Sequence, residues 1–164
     1  METDINMIRE MANKQLPIME RLIKLVIEKQ YFKDYELESR IKGVDGLKRK
    51  QTQFPEKYGF NVEAIPDILG FRVSVPSEED CLVISEIIYG LAPYNVLDFF
   101  NNPKESGFKA FLYQLTSSSV NVEIQIMTYK MRDWTNATHE EHEQRKYGYN
   151  FEQKNDSNGS YSNK

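Results

Sequence analysis

The sequence predicts an α+β fold in which helices flank one mixed β-sheet. Two observations lead to this prediction. Apolar residues recur at helical spacing in the N-terminal region, and four later segments alternate apolar and polar residues as strands do. The predicted order is helices, a strand, a helix, a run of strands and a last helix, which is typical of an α+β domain. A chain of 164 residues is long enough for one domain with a substantial core.

The N-terminal region predicts two helices, over residues 4–15 and 18–33. Pro17 suits the first turn of the second helix, where a missing N–H costs nothing. The second helix has apolar residues at helical spacing, namely Ile18, Leu22, Leu25 and Val26. Residues 43–46, "GVDG", predict a glycine-rich turn, followed by a short basic helix to about Tyr58.

Four segments predict strands: 68–75, 96–100, 108–117 and 120–128. The last two are joined by "SSS", which suggests a hairpin. Between the first and second strands, Ser77 and Asp80 fit a helix capping box. Gly90 marks the end of that helix, and its buried stripe is predicted to contain Ile84, Ile87, Ile88 and Leu91.

The C-terminal region predicts a helix over 129–146, followed by a polar tail. The tail is rich in Asn, Ser and Gly, a composition typical of disordered segments. We therefore divide the chain into N-terminal helices (1–36), a central domain (37–147) and a disordered tail (148–164).

Composition indicates a cytoplasmic protein. Hydrophobic residues make up 40% and charged residues 28% of the chain, as in ordinary globular domains. No apolar run approaches the roughly 18 residues of a membrane helix, and the N-terminus lacks the apolar core of a signal peptide. The single cysteine, Cys81, excludes an intrachain disulfide, which suits a reducing compartment.

Charge is distributed unevenly along the chain. The net charge of −4 argues against broad nonspecific binding to DNA or other nucleic acids. Residues 40–50, "RIKGVDGLKRK", nevertheless contain five cations against Asp45 alone. A local cationic stretch on an acidic protein suggests a defined anion site, and a solvated basic surface is an equally good explanation of this segment.

The strand within residues 121–130, "NVEIQIMTYK", has one apolar face and one face with Glu123 and Gln125. Asp67 precedes another strand, and Arg72 lies on it. Two carboxylates at such positions can hold a magnesium ion that bridges phosphates, and a glutamate can accept a proton from an attacking hydroxyl. Each residue also has a structural explanation, because Asp67 suits a turn and the others suit cross-strand pairs.

Familiar catalytic motifs are absent from the sequence. There is no G-x-x-x-x-G-K-[ST] phosphate loop and no G-x-S-x-G elbow. The two histidines of "HEEH", residues 139–142, are three residues apart, whereas the zinc-protease motif needs four. The functional interpretation therefore depends on the order in which the basic segment, Asp67, Arg72, Glu123 and Gln125 follow one another along the chain.

That order resembles the RelA/SpoT-type alarmone synthetase domain from about residue 37 to 147. The basic motif R-x-K-x-x-x-S-x-x-x-K matches at Arg40, Lys42 and Lys50. Three further segments match in order: "DILGFRV", "NPKESGF" and "EIQIMTYKMRDW", the last with the later His139. The resemblance implies a nucleotidyltransferase-like synthetase fold, with a mixed, largely antiparallel sheet of about five strands flanked by helices.

The resemblance also implies a reaction and a set of site residues. The family transfers pyrophosphate from ATP to the 3′-hydroxyl of GDP or GTP, forming (p)ppGpp, with Mg²⁺ as cofactor. The catalytic residues would be Asp67, Glu123 and Gln125. Asp67 and Glu123 would also hold the metal. The donor ATP would be bound by Arg40, Lys42, Lys48, Lys50 and Arg72. The acceptor would be bound by Phe108, which stacks on its base, with Lys104, Lys109 and His139.

Departures from the family pattern fall mainly on the acceptor side. The family's motif serine is Gly46, its loop asparagine is Ser106 and its stacking tyrosine is Phe108. Its following serine and histidine are Ala110 and Leu112, and its later arginine is Met127. Each lost charge-assisted contact to an acceptor phosphate would weaken binding by ~1.5–3 kcal/mol.

Three functions stay open from the sequence. The first is an alarmone synthetase using ATP and GDP or GTP. The second is a toxin-type relative that pyrophosphorylates the 3′ end of tRNA. The third is an inactive relative that binds nucleotide or a partner protein. The synthetase resemblance also allows a homo-oligomer.

Overall fold

The computed structural model describes the backbone of residues 2–147 and 162–163 and the side chains of residues 4–138. Within these residues the chain forms five helices and six strands, with a 3-10 turn at Val62–Ala64. The helices are α1 (Glu2–Glu28), α2 (Val44–Gln53), α3 (Pro55–Tyr58), α4 (Glu78–Tyr89) and α5 (Tyr129–Tyr147). The strands are β1 (Glu36–Ile41), β2 (Leu69–Val75), β3 (Asn95–Asp98), β4 (Phe111–Ser117), β5 (Val120–Thr128) and β6 (Ser162–Asn163).

The strands form one sheet in the order β3-β4-β5-β2-β1-β6. Every neighbouring pair is antiparallel except β2 and β5, which run parallel. The prediction of a mixed, largely antiparallel sheet flanked by helices is therefore confirmed. Because α4, β3 and β4 separate β2 from β5 along the chain, the connection is long enough for a parallel pair.

One face of the sheet is apolar and is covered by α1 and α4. Phe71 and Val73 of β2 and Ile124 and Ile126 of β5 are fully buried on this face. The covering side chains of the two helices are also buried, among them Ile5, Ile23 and Ile27 of α1 and Ile84 and Ile88 of α4. Burying this face supplies the main hydrophobic stabilisation of the fold.

The opposite face of the sheet is polar. The alternate residues of the central strands point there, and Glu38, Arg72, Gln114 and Glu123 are buried among them. Buried charges and amides are stable only when they are paired or hydrogen-bonded. A functional site is therefore expected on this face.

The prediction of two N-terminal helices is wrong, because α1 is a single helix of 27 residues with Pro17 inside it. Ile5, Ile8 and Ala12 are buried before the proline and Met19, Ile23 and Ile27 after it, and the partly buried Leu16 between them keeps the spacing at three or four positions. They form one stripe against the sheet and α4. Packing of that continuous stripe outweighs the hydrogen bond and steric fit that the proline removes.

Other predicted boundaries also differ from the structure. Gly46 lies inside α2 rather than in a turn, because its lack of a side chain fits a buried position. The sequence pattern did not predict strand β1, and β4 begins at Phe111 rather than at residue 108. The predicted tail lies mostly outside the described residues, and within it Ser162–Asn163 pair with β1.

Several local predictions are confirmed. Ser77 caps α4, because its Oγ accepts a hydrogen bond of 3.2 Å from the backbone N–H of Asp80. The hairpin between β4 and β5 turns at Ser118 and Ser119, whose φ angles of 46° and 70° suit a tight hairpin turn.

Among the helices that the structure describes, none combines the length and the hydropathy of a membrane span.

We expect the substitution Pro17→Ala to raise the free energy of unfolding by about 1–2 kcal/mol. An interior proline costs a helix ~3 kcal/mol, and its smaller unfolded-state entropy offsets part of that cost. Chemical denaturation measures the change, and Lys14→Ala, at an exposed position of the same helix, is the control. A loss of stability in Pro17→Ala would show that α1 is interrupted at the proline.

Candidate active site

The site lies where β1, β2 and β5 meet on the polar face of the sheet. In the strand register, Arg40 of β1 and Glu123 of β5 both pair with Gly70 of β2. Gly70 has no side chain, so Arg40 and Glu123 face each other across it. We call the group formed by Arg40, Lys42, Asp67 and Glu123 the charged corner.

Asp67 is the centre of the charged corner. Its Oδ2 accepts hydrogen bonds from Nζ of Lys42 at 3.0 Å and from Nη2 of Arg40 at 3.4 Å. Burial would raise the pKa of Asp67, but Lys42 and Arg40 outweigh it and hold that pKa below the ordinary value. The carboxylate is therefore ionised. Burial, followed by the charge of Arg40, also leaves the pKa of Lys42 lowered despite the attraction of Asp67.

Glu123 is buried beside this group and is held by two amides. Nε2 of Gln114 donates to its Oε2 at 3.0 Å, and Nε2 of Gln125 lies 3.5 Å from its Oε1. Burial, followed by the negative charge of Asp67, raises the pKa of Glu123 against the opposing effect of the amides and Arg40. A carboxylate with a raised pKa is a better proton acceptor, as a general base requires.

The charged corner has the oxygen chemistry that a magnesium ion requires. Oδ1 of Asp67 is buried and accepts no hydrogen bond, so it is available as a ligand. Among the described residues, no three His, Cys, Asp or Glu side chains gather into a complete metal site. Mg²⁺ is usually bound by one or two carboxylates together with substrate phosphates, and Asp67 with Glu123 fits that arrangement.

Arg72 lies on the same face and is buried in a bidentate pair with Glu38. Its Nε and Nη2 donate to the two carboxylate oxygens of Glu38 at 3.1 and 3.0 Å. Arg72 pairs with Glu38 in the register, and Arg40 pairs with Gly70 two residues away, so the two arginines are diagonal neighbours. Arg72 therefore lies on the same face as the charged corner, and the sequence does not indicate Glu38 as its partner.

The two lysines predicted on α2 point to different places. Lys50 is close enough to the charged corner to lower the pKa values of Lys42 and Asp67, and its Nζ lies 5.5 Å from the centre of the Phe54 ring. Lys48 lines a separate cavity of about 340 Å³ with Ile5, Gln51 and Thr52. Of these two lysines, the structure brings only Lys50 to the charged corner.

The predicted acceptor residues are divided between the two faces. Phe108 packs edge-on against Phe99, with ring centres 6.2 Å apart, and Nζ of Lys104 lies 5.3 Å from the Phe108 ring. Lys109 instead pairs with Glu78 of α4 at 2.9 Å, on the helix-covered side of the sheet. His139 lies on α5, and its side chain is outside the described residues.

An apolar cluster occupies the polar face next to Phe108. Ala110, Leu112 and Met127 are buried there in contact with one another, and Leu97, Phe99, Phe108 and Met131 pack against them. Ala110, Leu112 and Met127 are three of the positions where the sequence departs from the family pattern. The missing polar groups have therefore been replaced by a packed apolar surface.

Sequence reasoning missed Gln114, Asn95 and Glu38 at this site. Asn95 of β3, Gln114 of β4 and Glu123 of β5 are directly opposite one another in the register. The one available signal was a glutamine inside the strand "FLYQL", where every neighbour is apolar. The pairing that gives this glutamine its partner is visible only in the sheet.

Comparisons with known proteins agree with this geometry. Residues 39–150 match the family model described as the region found in RelA / SpoT proteins. A probable guanosine-3′,5′-bis(diphosphate) 3′-pyrophosphohydrolase of Mycoplasma pneumoniae is 34% identical over 103 residues, or 60% of this chain. This chain spans 13% of the length of that relative.

Two solved structures show the same fold. The small alarmone synthetase 1 of Bacillus subtilis, bound to its product pppGpp, is 24% identical with a TM-score of 0.64, covering 88% of this chain and 80% of its own. A GTP pyrophosphokinase family protein from Streptococcus pneumoniae is 22% identical with a TM-score of 0.67, covering 93% and 81%. Taken with the family match over most of the chain, this means that the protein belongs to the RelA/SpoT family and has the fold of its synthetase domain.

Proposed function

We propose that this protein is a magnesium-dependent pyrophosphokinase that transfers pyrophosphate from ATP to the 3′-hydroxyl of GDP or GTP, forming (p)ppGpp. The observation that carries the proposal is the charged corner, where Asp67 and Glu123 lie beside Arg40 and Lys42. Metal-assisted phosphoryl transfer uses a carboxylate that holds the metal, a group that accepts a proton and cations that contact the phosphates. The ionised Asp67, Glu123 with its raised pKa and the neighbouring cations correspond to these three.

The donor side of the charged corner suits ATP. Lys42 and Lys50 supply positive charges that can contact its phosphates. The negative charge of a triphosphate favours such contacts. Arg40 and Arg72, as diagonal neighbours on one face, can stack on either side of a flat adenine. The bidentate bond to Glu38 fixes the plane of the Arg72 guanidinium for that role.

Asp67 and Glu123 would hold the magnesium ion, because Oδ1 of Asp67 is buried without a hydrogen bond. The ion held there would supply positive charge that offsets the negative charge developing on the phosphates during transfer. Entry of the triphosphate would give Lys42 and Arg40 a second anion to contact besides Asp67.

Glu123 would act as the general base. It accepts the proton of the acceptor 3′-hydroxyl, whose oxygen attacks the β-phosphorus of ATP. The bond from that oxygen to the β-phosphorus forms, the bond between the β-phosphorus and the bridging oxygen to the α-phosphate breaks, and AMP leaves. The burial that raises the pKa of Glu123 also strengthens it as a base.

The acceptor side favours a second candidate function, transfer to the 3′ end of tRNA. The buried cluster of Ala110, Leu112 and Met127 provides no charge for acceptor phosphates, and the nearest predicted cation is Lys104 beside Phe108. A terminal nucleoside carries fewer charges than GTP at the position where this cluster lies. Phe108 would stack on the acceptor base in either case.

The decisive assay follows labelled phosphate from [β-³²P]ATP to GDP, GTP and bulk tRNA offered separately with magnesium. We expect transfer either to the two guanine nucleotides or to tRNA, and we expect Glu123→Gln to lower its rate by about 10²–10⁴-fold because the base is lost. Glu86→Gln, exposed on α4, is the matched control. Absence of transfer to every acceptor would support a protein that only binds nucleotide.

The substitution Asp67→Asn separates metal binding from ATP binding. We expect it to abolish magnesium-dependent transfer. Because it leaves Lys42 and Arg40 without their anion, we expect ATP to bind at least as tightly as to the wild type when EDTA is present. Calorimetry measures the affinity, and weaker binding of ATP in Asp67→Asn without metal would contradict the assigned role.

The apolar cluster leads to a prediction about acceptor phosphates. We expect GMP, GDP and GTP to differ in kcat/KM by less than about tenfold, since one contact to a charged group contributes ~1.5–3 kcal/mol and the cluster offers none. Steady-state kinetics with the three nucleotides tests this. A preference for GTP over GMP of several hundredfold would require a phosphate site elsewhere.

A further inference from the structure

Three polar side chains form a row across the sheet from its edge to the buried carboxylate. Nδ2 of Asn95 donates to Oε1 of Gln114 at 2.8 Å, and Nε2 of Gln114 donates to Oε2 of Glu123 at 3.0 Å. The three residues are direct neighbours in the register of β3, β4 and β5. Asn95 is exposed, whereas Gln114 and Glu123 are 7% and 8% exposed.

Burying the amide of Gln114 costs free energy unless its hydrogen bonds are satisfied. Its neighbours on β4 are Leu112, Tyr113 and Leu115, all buried, and its amide is buried with them. A buried amide must have its hydrogen bonds satisfied, which an aliphatic side chain would not require. Both ends of the Gln114 amide have partners, and one of them is Glu123.

The direction of the row matters as much as its existence. An amide presents either its NH₂ group or its oxygen to a neighbour, and the surrounding donors decide which. Asn95 donates to the oxygen of Gln114 and Glu123 accepts from its NH₂ group, so both neighbours favour this direction of the amide. The second amide at Glu123, that of Gln125, makes a longer contact of 3.5 Å. Gln114 is therefore the stronger constraint on the carboxylate.

We propose that Gln114 is a positioning residue for Glu123 and that Asn95 sets the direction of its amide. This inference rests on the proposed function, in which Glu123 accepts the proton of the acceptor hydroxyl. Gln114 occupies Oε2 and fixes the rotation of the carboxylate, so that Oε1 is presented to the acceptor. Neither Gln114 nor Asn95 contacts the reacting atoms in this arrangement.

The sharpest test is the substitution Asn95→Asp. A carboxylate only accepts hydrogen bonds, so in this variant the amide of Gln114 would lie between two acceptors, and position 95 would compete with Glu123 for its NH₂ group. We expect kcat to fall by about 10–100-fold, as when outer partners of a site are removed, with KM for ATP unchanged. Asn95→Ser keeps a donor and is expected to retain most of the activity. Asn13→Asp, exposed on α1, controls for the added charge.

The substitution Gln114→Met removes the amide and preserves the volume of the side chain. We expect a similar fall in kcat. If Gln114 acts through Glu123, the double variant Gln114→Met with Glu123→Gln should be no slower than Glu123→Gln alone. Thermal midpoints of all variants identify any loss of kcat that merely follows unfolding.

The outcomes separate this inference from the proposed function. If the wild type transfers phosphate to no acceptor, the proposed function fails. If the wild type is active and both Asn95→Asp and Gln114→Met retain kcat within about twofold, only the positioning role fails. Additive losses in the double variant, or losses of kcat that parallel the thermal midpoint, would also overturn it.

Discussion

The parallel pairing of β2 with β5 sets the geometry of the polar face. These two central strands bring Gly70 beside Glu123 and Arg72 beside Gln125, and Asp67 lies just before the first of them. Parallel neighbours need a long connection, which here contains α4, β3 and β4. That connection buries the apolar face under α4 and leaves the opposite face open for charge. The division between a helix-covered face and a polar face therefore follows from one pairing.

Charge balance explains why the polar face is stable. Burial disfavours the charged forms of both Asp67 and Lys42, and an isolated charge there would become neutral. Contact with Lys42 and Arg40 keeps Asp67 ionised, and the two oxygens of Glu38 satisfy Arg72. Such buried pairs contribute little net stability compared with apolar residues of the same size. In the proposed function, their value lies in holding oriented charges in place before a substrate arrives, which is the usual origin of electrostatic catalysis.

The two ends of the polar face have different characters. The end with Arg40, Lys42 and Asp67 is rich in charge, whereas the end with Leu112 and Met127 is a packed apolar cluster joined by α5 through Met131. An arginine at position 127 would be a buried charge in this packing, and no described anion lies in the cluster to pair with it. The departures at Ala110, Leu112 and Met127 therefore belong together, because these three side chains pack against one another.

The α+β class, most element types and the family resemblance were predictable from the sequence, and its motifs suggested Asp67, Glu123, Arg40 and Lys42 as site residues, because alternation and local motifs depend on neighbours along the chain. The continuation of α1 through Pro17 was not predictable in this way, since it depends on a continuous buried stripe that outweighs one lost hydrogen bond. Strand register likewise decided the partners of Arg72 and Glu123. The ion pair with Glu78 places Lys109 on the helix-covered face. Such contacts join residues that are distant in the chain, and a linear pattern carries no information about which strands lie side by side.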